Sequence, residues 1–324
     1  MSATPRAWIL NLDAEHELSA KLRYAPTLHV RALVARESQQ LLGQLVADHD
    51  VVITEELLAQ GGAAAERAQG LVGLAWSPTP RALALLRAAG AEPIDAPPVE
   101  VLRRVNAREF AARLRQPLAR GSFEKHVVDA LPLAVEQIAQ AAADGWLVRR
   151  TFGAAGRGRR RIASGAPSEN ELAWIEASLR IGPLVIEPFV HVTDEFTRSA
   201  WVDRDGLTVI SPPCFQATDE HGAWTRTQRA ERGAVSREDD ARLEETVEIV
   251  GRALAKAGYF GPFGIDAYRH RAAGGAGSVL NPLSEINARF TMDWATAMVQ
   301  RAESGEAVLR VEELARRSGL LSSA

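Results

Sequence analysis

Over residues 1–100, short apolar runs alternate with amphipathic stretches. Residues 7–10, 50–53 and 71–74 have the length and composition of buried strands. The best-marked helix begins after Thr79, a capping residue, with Pro80 in its first turn and Gly90 at its end. Strands alternating with helices predict parallel pairing and an α/β unit. Residues 91–98, with three prolines, read as a linker closing it.

From Val101 the pattern changes. Residues 102–114 and 131–143 read as helices, and 146–149 as a strand running into a Gly/Arg-rich turn over 153–161. Ser168-Glu169-Asn170-Glu171 is a capping box opening a helix that Gly182 ends. A strand is predicted over 184–187, and a hairpin of 196–202 with 207–210 around Asp203-Arg204-Asp205-Gly206. Residues 212–222 read as a long loop. Ser236 caps a helix whose Leu243, Val247, Val250 and Leu254 follow the helical period. Two last strands surround Ile265-Asp266 and residues 283–287, joined by a glycine-rich turn over 274–277.

Composition narrows the class. The chain has 324 residues, 46% hydrophobic and 24% charged, which suits a two-domain globular protein and excludes collagen, coiled coil and wholesale disorder. No apolar run reaches the ~18 residues that span a bilayer. Residues 1–12 lack a secretion signal, and the single cysteine, Cys214, cannot form an internal disulfide. Both point to the cytoplasm. A net charge of -3 argues against general nucleic-acid binding. Lys+Arg total 38 and only Lys21, Lys125 and Lys256 are lysines, leaving 35 arginines, so a required cation will be arginine. Leu/Ala-rich helical faces leave a homo-oligomer open.

Three elements carry chemistry. Gly264-Ile265-Asp266 and Ser284-Glu285-Ile286-Asn287-Ala288-Arg289 lie on strands joined by a turn. Glu285 and Asn287 would share a strand face, and Asp266 on the neighbouring strand would join them as three hard oxygen donors, a set suited to Mg²⁺. The same residues fit a strand pair whose polar side chains face water. Next, Arg149-Arg150-Thr151-Phe152-Gly153-Ala154-Ala155-Gly156-Arg157-Gly158 is a strand entering a glycine-rich turn that can aim backbone N–H groups at phosphate. It lacks the Walker and dinucleotide spacings, and its arginines also fit a solvated hairpin or an RNA patch. Third, Glu187-Pro188-Phe189-Val190 followed by Glu195 can offer backbone groups to a purine edge and a carboxylate to a ribose, or be a plain strand-to-loop junction.

In this order the three elements resemble the ATP-grasp superfamily of carboxylate–amine ligases, over roughly residues 101–294. The resemblance implies an α/β protein, α+β in its nucleotide lobes. A Rossmann-like pre-ATP-grasp domain would occupy residues 1–100 and an ATP-grasp domain 101–324, with a small lobe to 186 and a large lobe from 187. It implies ATP with one or two Mg²⁺ ions (Mn²⁺ being an acceptable substitute) held by Asp266, Glu285 and Asn287. Arg149 and Arg108 would replace nucleotide-contacting lysines, and the loop of Gly153, Gly156 and Gly158 would close over the phosphates. Glu187 with the backbone of Phe189 and Val190 would read adenine, Glu195 would hold the ribose, and Arg289 would stand near the transferred phosphoryl group. The partners implied are a small carboxylate and an amine, with neither nucleic acid nor membrane. Gly264 stands where the D-alanine–D-alanine ligase branch has an arginine, which argues against that activity. An ATP-dependent carboxylase or kinase, or a non-catalytic ATP-binding protein, are the rival expectations. Cys214 reads as packing, His191 and His221 as surface or satisfied residues, and Arg226 with Arg229 as either a carboxylate clamp or a solvated loop.

Overall fold

The structure is a computed structural model that describes residues 5–20, 23–61, 63–115, 118, 126–153, 158–206, 208–218, 224–271, 277–298 and 314–315. Its first sheet is parallel, as the alternating pattern predicts, and is built from β1 (Arg6–Ile9), β2 (Val51–Val52), β3 (Val72–Ala75) and β4 (Glu92–Pro93) in the order β2-β1-β3-β4. The helix Pro80–Ala88 follows β3, with Thr79 Oγ1 accepting from the Ala82 N–H. β4 corrects the expected linker. Glu92 and Ile94 donate their N–H groups to Leu71 and Gly73, and Pro93, which has no N–H, fits because β4 is an edge.

The expected helix over 102–114 is two helices, Val99–Asn106 and Arg108–Arg115, broken at Ala107 in an extended conformation. The break lets the Arg108 N–H bond to the Thr151 carbonyl at 3.0 Å instead of continuing a helix. A second, antiparallel sheet contains β5 (His126–Val128), β6 (Trp146–Arg150), β7 (Arg159–Ile162) and β8 (Leu184–Pro188), in the order β5-β8-β6-β7. β6 and β7 flank the glycine-rich turn, of which residues 154–157, with Gly156, lie outside the described residues. β8 runs through Pro188, past the expected lobe boundary at 186, so Glu187 belongs to this smaller sheet. The capping box at Ser168 and Glu171 is formed and starts the helix Glu169–Leu179.

The third sheet has β9 (Val192–Val202), β10 (Thr208–Ile210), β11 (Cys214–Thr218), β12 (Trp224–Arg229), β13 (Gly261–Arg271) and β14 (Ser278–Asn287). Its order is β12-β11-β9-β13-β14, with β10 beside β9 as the predicted hairpin. β11 lies inside the expected loop of 212–222. Pro212 and Pro213 mask the alternation that follows, and pairing to β9 and β12 makes the strand. The helix Arg237–Lys256 buries Val247, Val250 and Leu254 on one face of this sheet, against Ala200, Val202, Phe263 and Ile265. The other face is polar around Asp266 and carries the candidate site. Trp8 of β1 meets Phe290 edge-on at 5.3 Å, so the first sheet and the segment after β14 share a core.

Candidate active site

Asp266 on β13 and Glu285 on β14 are direct cross-strand partners, and Gly264 pairs with Asn287. The Asn287 amide nitrogen donates to Asp266 Oδ2 at 3.0 Å, turning the amide oxygen away from that carboxylate. The three side chains therefore lie together on one face. Burial, then Glu285 and Asp293, push the Asp266 carboxyl up to about 8.

Glu285 is held by two cations, one at the start of the helix Arg108–Arg115 and one on β6. Arg108 Nη2 donates to Oε1 at 3.0 Å and Arg149 Nη2 donates to Oε2 at 2.7 Å. Burial pulls the Glu285 carboxyl upward, but Arg108, Arg149 and Arg289 outweigh it and hold it below the usual range. Arg149, on β6, also donates from Nη1 to Glu187 Oε1 at 3.1 Å. Burial opposes its charge, and Glu285 with Glu187 more than offsets that, raising its pKa. Arg108 Nη1 donates to the Arg150 carbonyl at 3.2 Å and its Nη2 to the Gly153 carbonyl at 2.6 Å, besides Glu285. One cation bonding in these directions uses the guanidinium's planar fan of N–H groups, which a lysine's single ammonium nitrogen does not present. Arginine at 108 thus has a structural use.

Gly153 donates its N–H to Glu15 Oε2 at 3.0 Å, and the Gly158 carbonyl accepts from the Arg150 N–H at 2.8 Å. Gly158 sits at φ 74°, the left-handed region, as the turn back into β7 requires. Arg289 donates from Nη2 to Glu15 Oε1 at 3.1 Å and lies over the Trp76 ring. Glu187 is almost wholly buried and paired with Arg149, so its side chain faces the cations. The Phe189 N–H is donated to the Gly145 carbonyl at 2.8 Å. Val190 follows, half-buried, and Glu195 is half-buried on β9 opposite Tyr268.

Three residues at this site escaped the sequence reading. Glu15 joins Arg289 to Gly153 from the first α/β unit; its signal was a position just beyond a parallel strand's carboxyl end, where ligands gather. Arg115 lies 3.8 Å from Glu187 Oε2. Asp293, 1% exposed, accepts from Thr197 Oγ1 at 3.1 Å and Ser199 Oγ at 2.7 Å. Nothing local in the sequence marks the last two. Gly264 is constrained by packing: a Cβ there would stand 2.8 Å from Thr291 Cγ2, so a side chain at this position would force Thr291 to shift.

Among the described residues, no three His, Cys, Asp or Glu side chains are grouped to hold a metal ion. The candidate set is two carboxylates and an amide. That chemistry fits a hard cation that completes its shell with water and phosphate oxygens, as Mg²⁺ does. Elsewhere, Cys214 is fully buried, and burial pushes its thiol up to about 12. His191 pairs with Asp144 at 3.3 Å, and His221 lies outside the described residues. Arg229 caps the helix Trp294–Met298 by donating to the Thr296 and Ala297 carbonyls, while Arg226 is exposed. Both line a cavity of about 720 Å³. No helix among the described residues is long and apolar enough to cross a membrane.

No family profile and no curated protein matches the sequence. Solved structures do. Biotin carboxylase from Campylobacter jejuni, solved as a β,γ-ATP complex, is 13% identical, covers 99% of this chain and 72% of its own, at a TM-score of 0.58. D-alanyl-alanine synthetase A from Vibrio cholerae is 16% identical over 89% of this chain and 90% of its own, at 0.51. N5-carboxyaminoimidazole synthetase from Staphylococcus aureus, complexed with ADP, is 11% identical over 89% and 71%, at 0.50. With the sheets described above, these likenesses give the chain the ATP-grasp fold, with a Rossmann-like α/β unit at its N-terminal end.

Proposed function

We propose that the protein is an ATP- and Mg²⁺-dependent ligase that joins a carboxylate to an amine through an acyl phosphate. The observation that carries this reading is the meeting of Asp266, Glu285 and Asn287 with Arg108 and Arg149 at the junction of two sheets. Hard oxygen donors facing guanidinium groups are what a nucleotide triphosphate and its counter-ion require. A domain partition near residue 100, a lobe boundary just after β8 and not at 186, and a cytoplasmic setting belong to the same reading.

The chain's own groups would position and neutralise. Arg108 and Arg149 would leave Glu285 for phosphate oxygens, and the turn containing Gly153 and Gly158 would cover them. The chain at Val190, just beyond the end of β8, would meet the purine edge, with Glu195 toward the ribose. Asp266, Glu285 and Asn287 would hold Mg²⁺, which neutralises charge developing on the phosphoryl oxygens. Arg289, held by Glu15, would face the transferred phosphoryl group. The substrate carboxylate oxygen attacks the γ-phosphorus and ADP leaves; the amine nitrogen then attacks the acyl carbon, phosphate leaves, and an amide remains with loss of a proton from nitrogen. Alignment does most of this work.

The test is ADP release across amino acids and small carboxylates with Mg²⁺, followed by product mass. An amide product supports the reading. Release that needs bicarbonate and no amine would replace ligase by carboxylase. ATP binding without any substrate-dependent release would leave a non-catalytic binding protein.

A further inference from the structure

Glu15 lies on the short helix Ala14–Ser19, which side-chain bonds tie to its neighbours. Glu17 accepts from Thr79 Oγ1 at 2.7 Å and from the Arg81 N–H at 3.1 Å, and Arg103 Nε donates to the Leu18 carbonyl at 3.1 Å. From this base the Glu15 side chain, 12% exposed, reaches two donors in distant parts of the chain. Oε2 accepts from the Gly153 N–H at 3.0 Å, where the chain leaves β6, and Oε1 accepts from Arg289 Nη2 at 3.1 Å, just beyond β14. Both donors are held in turn. The Gly153 carbonyl accepts from Arg108 Nη2 at 2.6 Å, and Arg289 Nη1 donates to the Phe290 carbonyl at 3.1 Å.

A backbone N–H and a guanidinium that converge on one carboxylate would serve a phosphoryl group equally well, since both present a pair of anionic oxygens on one centre. These are also the donors that the ligase reading above, on which this inference rests, gives to the phosphates. We propose that Glu15 is a built-in competitor of the terminal phosphate: its carboxylate takes the Gly153 N–H and Arg289, and it has to yield them before a triphosphate is seated. With its helix tied down, the side chain must turn away and lose two charge-assisted hydrogen bonds. That penalty falls on the terminal phosphate alone. A diphosphate leaves both Glu15 contacts in place, so Glu15 lowers the preference of the site for ATP over ADP. When the transferred group departs as phosphate, the same carboxylate takes the two donors back and favours its release.

The experiment is calorimetric titration of the full chain with ADP and, in parallel, with the β,γ-imido analogue of ATP, both with Mg²⁺. Glu15→Gln keeps the side chain's shape and weakens both bonds. It is expected to tighten the ATP analogue by about tenfold, the weight of one charge-assisted hydrogen bond, and to change ADP by less than about twofold. Glu15→Ala should show the same split between the two nucleotides, and it serves if Glu15→Gln does not fold. An ATP-analogue affinity that is unchanged or weaker, or equal gains for the analogue and ADP, would overturn the assignment while leaving the ligase reading standing. A wild-type chain that binds neither nucleotide would overturn both.

Discussion

Arg149 and Glu285 meet at 2.7 Å across the junction of the smaller antiparallel sheet and the larger one, and each is an expected contact for a different part of the same ligand. The cation proposed to hold the nucleotide and the carboxylate proposed to hold the metal thus satisfy each other. Removing either member leaves the other partly buried with fewer opposite charges, Glu285 keeping Arg108 and Arg149 keeping Glu187.

Arg149→Ala is the direct consequence. It should weaken ATP binding by at least about tenfold, the scale of a lost charge-assisted contact of about 1.5–3 kcal/mol. Titration with a non-hydrolysable ATP analogue measures this, and an unaltered affinity would count against the nucleotide assignment.

Glu285→Ala and Asp266→Ala should each abolish Mg²⁺-dependent ATP turnover while circular dichroism stays that of the wild type. Retained turnover in both variants would remove the metal assignment.

Asp266 also carries a pH signature. Its folded-state carboxyl is raised from 3.8 to about 8, so the folded state binds the proton more tightly than the unfolded one. Stability from this group is therefore full below the lower value and lost as pH rises toward the upper. In metal-free buffer, Asp266→Asn should melt about 2 °C above wild type at pH 8, and the gap should close toward pH 4. A gap independent of pH would contradict the assigned environment.

Packing at Gly264 is testable without a ligand. Gly264→Ala should cost about 1–3 kcal/mol, because the new Cβ meets Thr291 Cγ2 at 2.8 Å. Thr291→Ser removes that methyl, so the double variant should recover most of the loss in a urea melt.

Cys214, fully buried with its thiol pushed up to about 12, should resist thiol reagents until the chain is unfolded. Rapid labelling of the folded protein would show that the site is open to solvent. Cys214→Ala should leave ATP turnover in place.

The sequence by itself determined the local elements whose signals are contained in a few neighbouring residues. The cap at Thr79, the capping box at Ser168 and Glu171, the period of Leu243 to Leu254, and the side-by-side projection of Glu285 and Asn287 depend only on backbone geometry and side-chain reach. Tertiary structure alone decided the rest. The break at Ala107 exists because Arg108 bonds to Thr151, and β11 becomes a strand because β9 and β12 flank it. Arg149 chose Glu285 and Glu187, Arg115 joined them, and Glu15 crossed from the first α/β unit to Arg289. Charges and hydrogen-bond donors act through space, so their partners are fixed by which sheets and helices come together, and sequence spacing carries no record of that.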